Sequence, residues 1–136
     1  MYEDTLSRVD LFHNLNKKEL QALARVCKEQ QYSAGTTVIS EGTTGVGLYI
    51  LTKGEVRITQ GDKQLNTAGA GEVLGEMSLL DDLPRSATVT AVDDVTALLL
   101  PSWEFRVTVK DHPDIALKLL SVLSKRLRKA QSRPQE

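Results

Sequence analysis

The chain has 136 residues, 40% of them hydrophobic, enough to bury one core and too few for two ordinary domains. Its 17 Lys and Arg stand against 18 Asp and Glu, so a formal charge of −1 gives no global attraction to nucleic acid or to a membrane surface. The single Cys27 excludes an internal disulfide, no apolar run approaches ~18 residues, and no secretory pattern opens the chain; a cytoplasmic protein without a membrane span is expected.

Asn16 is placed to cap a helix, with Glu19 three residues on as its return partner. Leu20, Leu23, Ala24 and Cys27 then share one face of about three helical turns. All nine glycines lie between Gly35 and Gly75, separating short runs rich in Val, Ile, Thr and Leu, which is how brief strands joined by tight turns read. Strands are expected over Gln30–Tyr32, Thr37–Ser40, Leu48–Thr52, Glu55–Thr59, Gln64–Ala68, Ser86–Ala91 and Val95–Leu100. Such a series closes most readily as a jelly-roll barrel or sandwich.

The loop from Gly75 to Val89 collects the parts of a small anion site. Val73-Leu74 leads in, Gly75 lets backbone approach a ligand, and Met77 to Leu80 can form one helical turn whose free N–H groups face an anion. Arg85, fixed beyond Pro84, and Ser86 offer a guanidinium fork and a hydroxyl suited to a phosphate. Glu76 would repel that anion, so its carboxylate makes sense as the acceptor for a ribose hydroxyl.

Gly75-Glu76-x-x-Leu79-Leu80, followed by Pro84-Arg85-Ser86-Ala87-Thr88-Val89, closely resembles the phosphate-binding cassette of cyclic nucleotide-binding domains, as found in bacterial transcription regulators, cyclic nucleotide-gated channels and kinase regulatory subunits. Ile39, Glu41-Gly42, Leu48-Tyr49-Ile50-Leu51 and Gly54-Glu55-Val56 resemble the strand, turn and strand ahead of it, so the likeness runs from about Leu11 to about Leu127. The resemblance implies a mainly β fold: an eight-stranded antiparallel jelly-roll barrel with N-terminal and C-terminal helices. The whole chain, 1–136, is then one domain, with a helical segment 1–29, a β region 30–101 containing the cassette 75–89, and helices over 102–136.

The resemblance also implies a ligand and its contacts. A 3′,5′-cyclic nucleotide would place its phosphate on Arg85, Ser86 and the backbone N–H groups near Met77 and Ser78. Its 2′-hydroxyl would meet Glu76 and the Gly75 backbone, and Val73, Leu74 and Val89, beside Ala87, would wall the base. Two positions depart from the family pattern. Many members carry an acidic residue shortly before the Tyr-Ile pair to support the arginine, where Val46 stands here. The stretch that often reads the base, Arg126 to Gln131, contains Ala130. Serine rather than threonine at Ser86 points to cAMP over cGMP.

Pro101 and Ser102 to Lys110 start helical structure, and Pro113 suits the first position of a last helix bearing Ile115, Ala116, Leu119, Leu120, Leu123 and Leu127. That stripe can close over the ligand as a lid, pair with a second chain as a short coiled coil, or dock on its own β region. The basic run Lys125, Arg126, Arg128, Lys129 and Arg133 reads as a solvated face. His13 and His112 lie outside the strands and in no nucleophile motif, and neither a Walker loop nor a dinucleotide fingerprint occurs. The expectation is a binding protein with no cofactor, metal or catalysis. It would sense the nucleotide through movement of its C-terminal helices and act through a protein partner or effector domain. The start at Met1 favours a stand-alone sensor over a fragment. The alternative is a degenerate relative that binds no nucleotide and serves as a dimerisation or interaction module.

Overall fold

A computed structural model describes residues 2–81 and 83–132. It divides into two compact units, residues 26–106 and residues 1–25 with 107–136. The first unit holds eight strands: β1 (Lys28–Tyr32), β2 (Thr37–Ile39), β3 (Gly47–Lys53), β4 (Val56–Gln60), β5 (Lys63–Ala68), β6 (Val73–Leu74), β7 (Thr88–Ala91) and β8 (Val95–Pro101). They form two four-stranded sheets, ordered β1-β8-β3-β6 and β2-β7-β4-β5, with every pairing antiparallel. Of the two closures anticipated from the sequence, this is the jelly-roll-like sandwich.

Period-two alternation builds its core. Tyr49 and Leu51 of β3 and Val95, Ala97 and Leu99 of β8 meet Ile39, Val56, Val89 and Ala91 from the other sheet. Tight glycine turns set the spacing: Gly54 joins β3 to β4 with φ 88°, and a Cβ there would collide with the Asp94 carbonyl and sit 3.0 Å from the Val95 Cα. Lys63 to Thr67 of the edge strand β5 are exposed and polar apart from Leu65, which blunts that edge against pairing with another chain.

Strand β6 was not anticipated, since two residues carry no alternation pattern; pairing of Leu74 with Tyr49 and Val73 with Ile50 defines it. The strand expected from Ser86 begins instead at Thr88. The Arg85 backbone is engaged elsewhere: its N–H donates to Thr43 O at 2.7 Å and its carbonyl accepts from Gly42 N–H at 2.8 Å.

The second unit contains α1 (Glu3–Ser7), a 3-10 turn at Asp10–Phe12 and most of α2 (Lys17–Val26); α3 (Ser102–Asp111) crosses the division and α4 (Asp114–Gln131) completes the unit. The capping box forms as expected, with Asn16 N–H on Glu19 Oε1 and Glu19 N–H on Asn16 Oδ1, both 2.9 Å. Leu20, Leu23 and Ala24 are buried, but Cys27 falls one residue past the helix end. It is half-buried, and desolvation pushes its thiol up to about 12. Pro113 occupies the cap position of α4 rather than its first helical residue.

The face that α4 buries also differs from expectation. Ile115, Leu119 and Val122 are buried, whereas Leu120 and Leu127 are 60% and 59% exposed. The helix carries two adjacent apolar stripes, and periodicity alone could not choose which one packs. Contact with the turn Asp10–Phe12 and ion pairs from Lys118 to Glu19 and Arg126 to Asp10, both 2.6 Å, select the first. Arg133 lies outside the described residues. Among the described residues no helix is long and apolar enough to cross a membrane.

Candidate functional site

The unit of residues 26–106 contains a cavity of about 440 Å³ built around the Gly75 to Val89 loop. Strand β6 delivers the chain to Gly75, whose left-handed φ of 74° opens a 3-10 turn over Glu76–Leu79. The helical turn thus starts one residue earlier than the sequence suggested. It is held by Ser78 N–H to Gly75 O and Leu80 N–H to Met77 O, each 3.0 Å, and pinned to the interior by Leu79, 1% exposed.

The chain then returns through Pro84, bridged to Thr44, and Arg85 runs its side chain back beneath the turn. Two glycines make room for it. A Cβ on Gly75 would strike the guanidinium, lying 2.8 Å from its Cζ. One on Gly45 would lie 2.6 Å from Nε and 2.8 Å from Ser78 Oγ. Gly45, not Val46, is therefore the residue facing Arg85; Val46 is 45% exposed.

Arg85 is only 8% exposed. Its Nη2 donates to Gly47 O at 2.6 Å, while its buried Nε has no hydrogen-bond partner. Burial pulls its pKa down, opposed by the nearby Tyr49 hydroxyl, yet a guanidinium stays protonated at any physiological pH. No carboxylate pairs with it among the described residues. A buried cation with an unused N–H is costly unless an anion completes it. Ser78 and Ser86, which line the same cavity, make no side-chain hydrogen bond among the described residues.

Of the residues picked out in the sequence, Leu74, Gly75, Glu76, Met77, Ser78, Arg85, Ser86, Ala87 and Val89 all line the cavity. Val73 does not. It pairs with Ile50 one position before Leu74, and alternation sends its side chain to the other face. Ile39, Ile58, Asp81, Leu83 and Pro84 also line the cavity and were not anticipated. Ile39 and Ile58 come from β2 and β4, and only strand alternation in a known register could have found them. Asp81 and Leu83 belong to the loop itself, where a carboxylate and an exposed leucine read as ordinary turn residues.

Comparison with known proteins gives the family. A family model described as "Cyclic nucleotide-binding domain" matches residues 29–112. The chain is 30% identical over 132 residues to a CRP-like cAMP-activated global transcriptional regulator of Mycobacterium tuberculosis, covering 93% of this chain and 59% of that protein. It is 35% identical over 108 residues to a cAMP-dependent protein kinase regulatory subunit of Colletotrichum orbiculare, covering 78% of this chain and 28% of that one. The crystal structure of the N-terminal domain of a transcriptional regulator from Streptomyces coelicolor superposes with a TM-score of 0.89 at 31% identity, covering 98% of this chain and 99% of that domain. The chain thus spans little more than half the length of the Mycobacterium regulator.

Proposed function

The chain belongs to the cyclic nucleotide-binding domain family, and from that premise we propose that residues 1–136 act as one sensor module that binds a 3′,5′-cyclic nucleotide, with cAMP favoured over cGMP. The single observation that carries this reading is Arg85: a buried guanidinium with an unused Nε–H, no carboxylate partner, and two glycines clearing its path. A cyclic phosphate supplies the missing negative charge and acceptors at once. The phosphate sits on Arg85, with the Ser78 and Ser86 hydroxyls and the N–H groups of the 3-10 turn satisfying its remaining oxygens. Glu76 and the Gly75 backbone take the ribose 2′-hydroxyl. Leu74 and Val89, joined by Ile39 and Ile58, form the apolar wall for the base, with Ala87 beside them.

The preference for cAMP rests on Ser86, whose position favours guanine in the family when it holds threonine. Binding uses no cofactor and turns over no ligand; the relatives named above are regulatory proteins. Occupancy repositions the 3-10 turn and its leucines and is transmitted as movement of the C-terminal helices to an effector, in the cytoplasm, without direct contact between this chain and nucleic acid. Ala116, Leu120, Leu123, Leu127 and Ala130 follow alternating spacings of four and three along α4. The exposure of Leu120 and Leu127 supports pairing with a second copy through that seam.

Calorimetric titration of the chain with cAMP and cGMP tests the reading. Saturable binding with cAMP the tighter ligand is expected. A folded protein that takes up no heat and gains no thermal stability from either nucleotide would establish the degenerate interaction module instead.

A further inference from the structure

Among the described residues the cavity lining carries one cation and two carboxylates: Arg85 against Glu76 and Asp81. The cyclic nucleotide reading assigns Glu76 to the ribose and leaves Asp81 without a role. Asp81 lies two residues beyond the 3-10 turn, and its N–H donates to Met77 O at 3.2 Å. Its Oδ1 accepts the Leu83 N–H at 3.2 Å, which tethers the carboxylate on the cavity rim four residues from Arg85. No other hydrogen bond or ion pair engages it among the described residues.

We infer that Asp81 is a specificity-determining residue that restricts the pocket to singly charged phosphodiesters and disfavours doubly charged phosphate monoesters such as 5′-AMP. The inference rests on the cyclic nucleotide reading and concerns the same site. A cyclic phosphodiester carries one negative charge, which Arg85 neutralises. A monoester near pH 7 carries about 1.5 to 2. Its second charge finds no further cation among the described lining residues, and two carboxylates face the same cavity of about 440 Å³. Asp81 is exposed, so solvent and salt moderate its repulsion of that second charge, and the effect is modest and depends on ionic strength. The pocket therefore reads total ligand charge as well as shape, and distinguishes the cyclic signal from its ring-opened counterpart.

The test compares equilibrium binding of cAMP, 5′-AMP and adenosine 5′-O-methyl phosphate to the full chain and to Asp81→Asn. The methyl ester is open like 5′-AMP but singly charged like cAMP. Asparagine keeps the acceptor for the Leu83 N–H, so the turn survives while the charge is removed. In the variant, 5′-AMP should gain about 2- to 5-fold in affinity, and the two singly charged ligands distinctly less. In the wild type, the preference for the methyl ester over 5′-AMP should shrink as salt rises from about 0.05 to about 0.5 M, a readout independent of any variant. Equal gains for 5′-AMP and its methyl ester, or a wild-type preference between them that salt leaves unchanged, would overturn the role of Asp81. If cAMP itself failed to bind the wild type, the underlying cyclic nucleotide reading would be lost and this inference with it.

Discussion

Glu19 and Arg85 are buried to a similar depth, 6% and 8% exposed, and are satisfied in opposite ways. Glu19 closes a capping box with Asn16 and receives Lys118 Nζ at 2.6 Å. Burial alone would raise its carboxyl, but the hydrogen bonds from Lys118 and Asn16 outweigh that and hold it below the usual carboxylate range. Arg85 has one carbonyl acceptor, an idle Nε–H and no counter-charge among the described residues. The difference separates a charge that the fold uses from a charge that the fold reserves. Completing the first stabilises the free protein, and on the function proposed above completing the second takes a ligand.

The largest effect that can break this contrast is at Arg85. Arg85→Ala should lower cyclic nucleotide affinity by two to four powers of ten, since a buried phosphate left without its partner costs about 3–5 kcal/mol. The ligand-free domain should stay folded, because the side chain removed was itself incompletely satisfied. Titration calorimetry alongside thermal unfolding measures both, and micromolar binding by a folded variant would reject the site.

Glu19 should behave as the mirror image. Glu19→Ala should cost about 1–3 kcal/mol of stability through loss of the cap and of the Lys118 pair, with nucleotide affinity unchanged once the protein is folded. Chemical denaturation reads the first quantity and titration the second; a large affinity loss at constant stability would erase the distinction drawn above.

Glu76→Gln sharpens the assignment within the site. It keeps the shape and weakens the acceptor, so affinity for a ribose ligand should fall by about 1–2 kcal/mol, and less for its 2′-deoxy counterpart. Equal losses for the two ligands would mean that Glu76 holds the turn rather than the sugar.

The smallest effect is in pH. Glu19 and Asp10 both have lowered pKa values, Asp10 mainly through its hydrogen bond from Arg126. A depressed carboxyl contributes stability above its unfolded pKa, about 4, and loses it as pH falls through the folded value. The stability gap between wild type and Glu19→Ala should therefore be full near neutrality and narrow as pH drops below about 4. A gap that stays constant with pH would show that the cap geometry, not the charge, carries the stabilisation.

Much of this molecule was legible because its signals are local. The Asn16–Glu19 capping box is complete within four residues and forms as read. The cassette from Gly75 to Val89 is one continuous segment, so a glycine that must adopt a positive φ, a short turn and an arginine beyond a proline could be recognised together. Nine of the ten residues singled out for the ligand line one cavity, and the tenth, Val73, was misplaced by a single step of alternation. Seven of the strands followed from runs bounded by glycine, whereas β6 is too short to leave a pattern.

Residues adjacent in the chain sufficed to read the family, seven of the eight strands and the loop proposed to bind the anion. Tertiary structure decided what adjacency cannot specify. Sheet register brought Ile39 of β2 and Ile58 of β4 to the same cavity wall, nineteen positions apart in the chain. Close packing around a buried guanidinium made Gly45, rather than Val46, the residue that Arg85 requires to be small. On α4, contact with the turn Asp10–Phe12 buried Ile115, Leu119 and Val122 and left Leu120 and Leu127 outside, a choice between two equally apolar stripes. In each case the deciding energy comes from pairing or packing against a distant segment, and that energy exists only after the chain has folded.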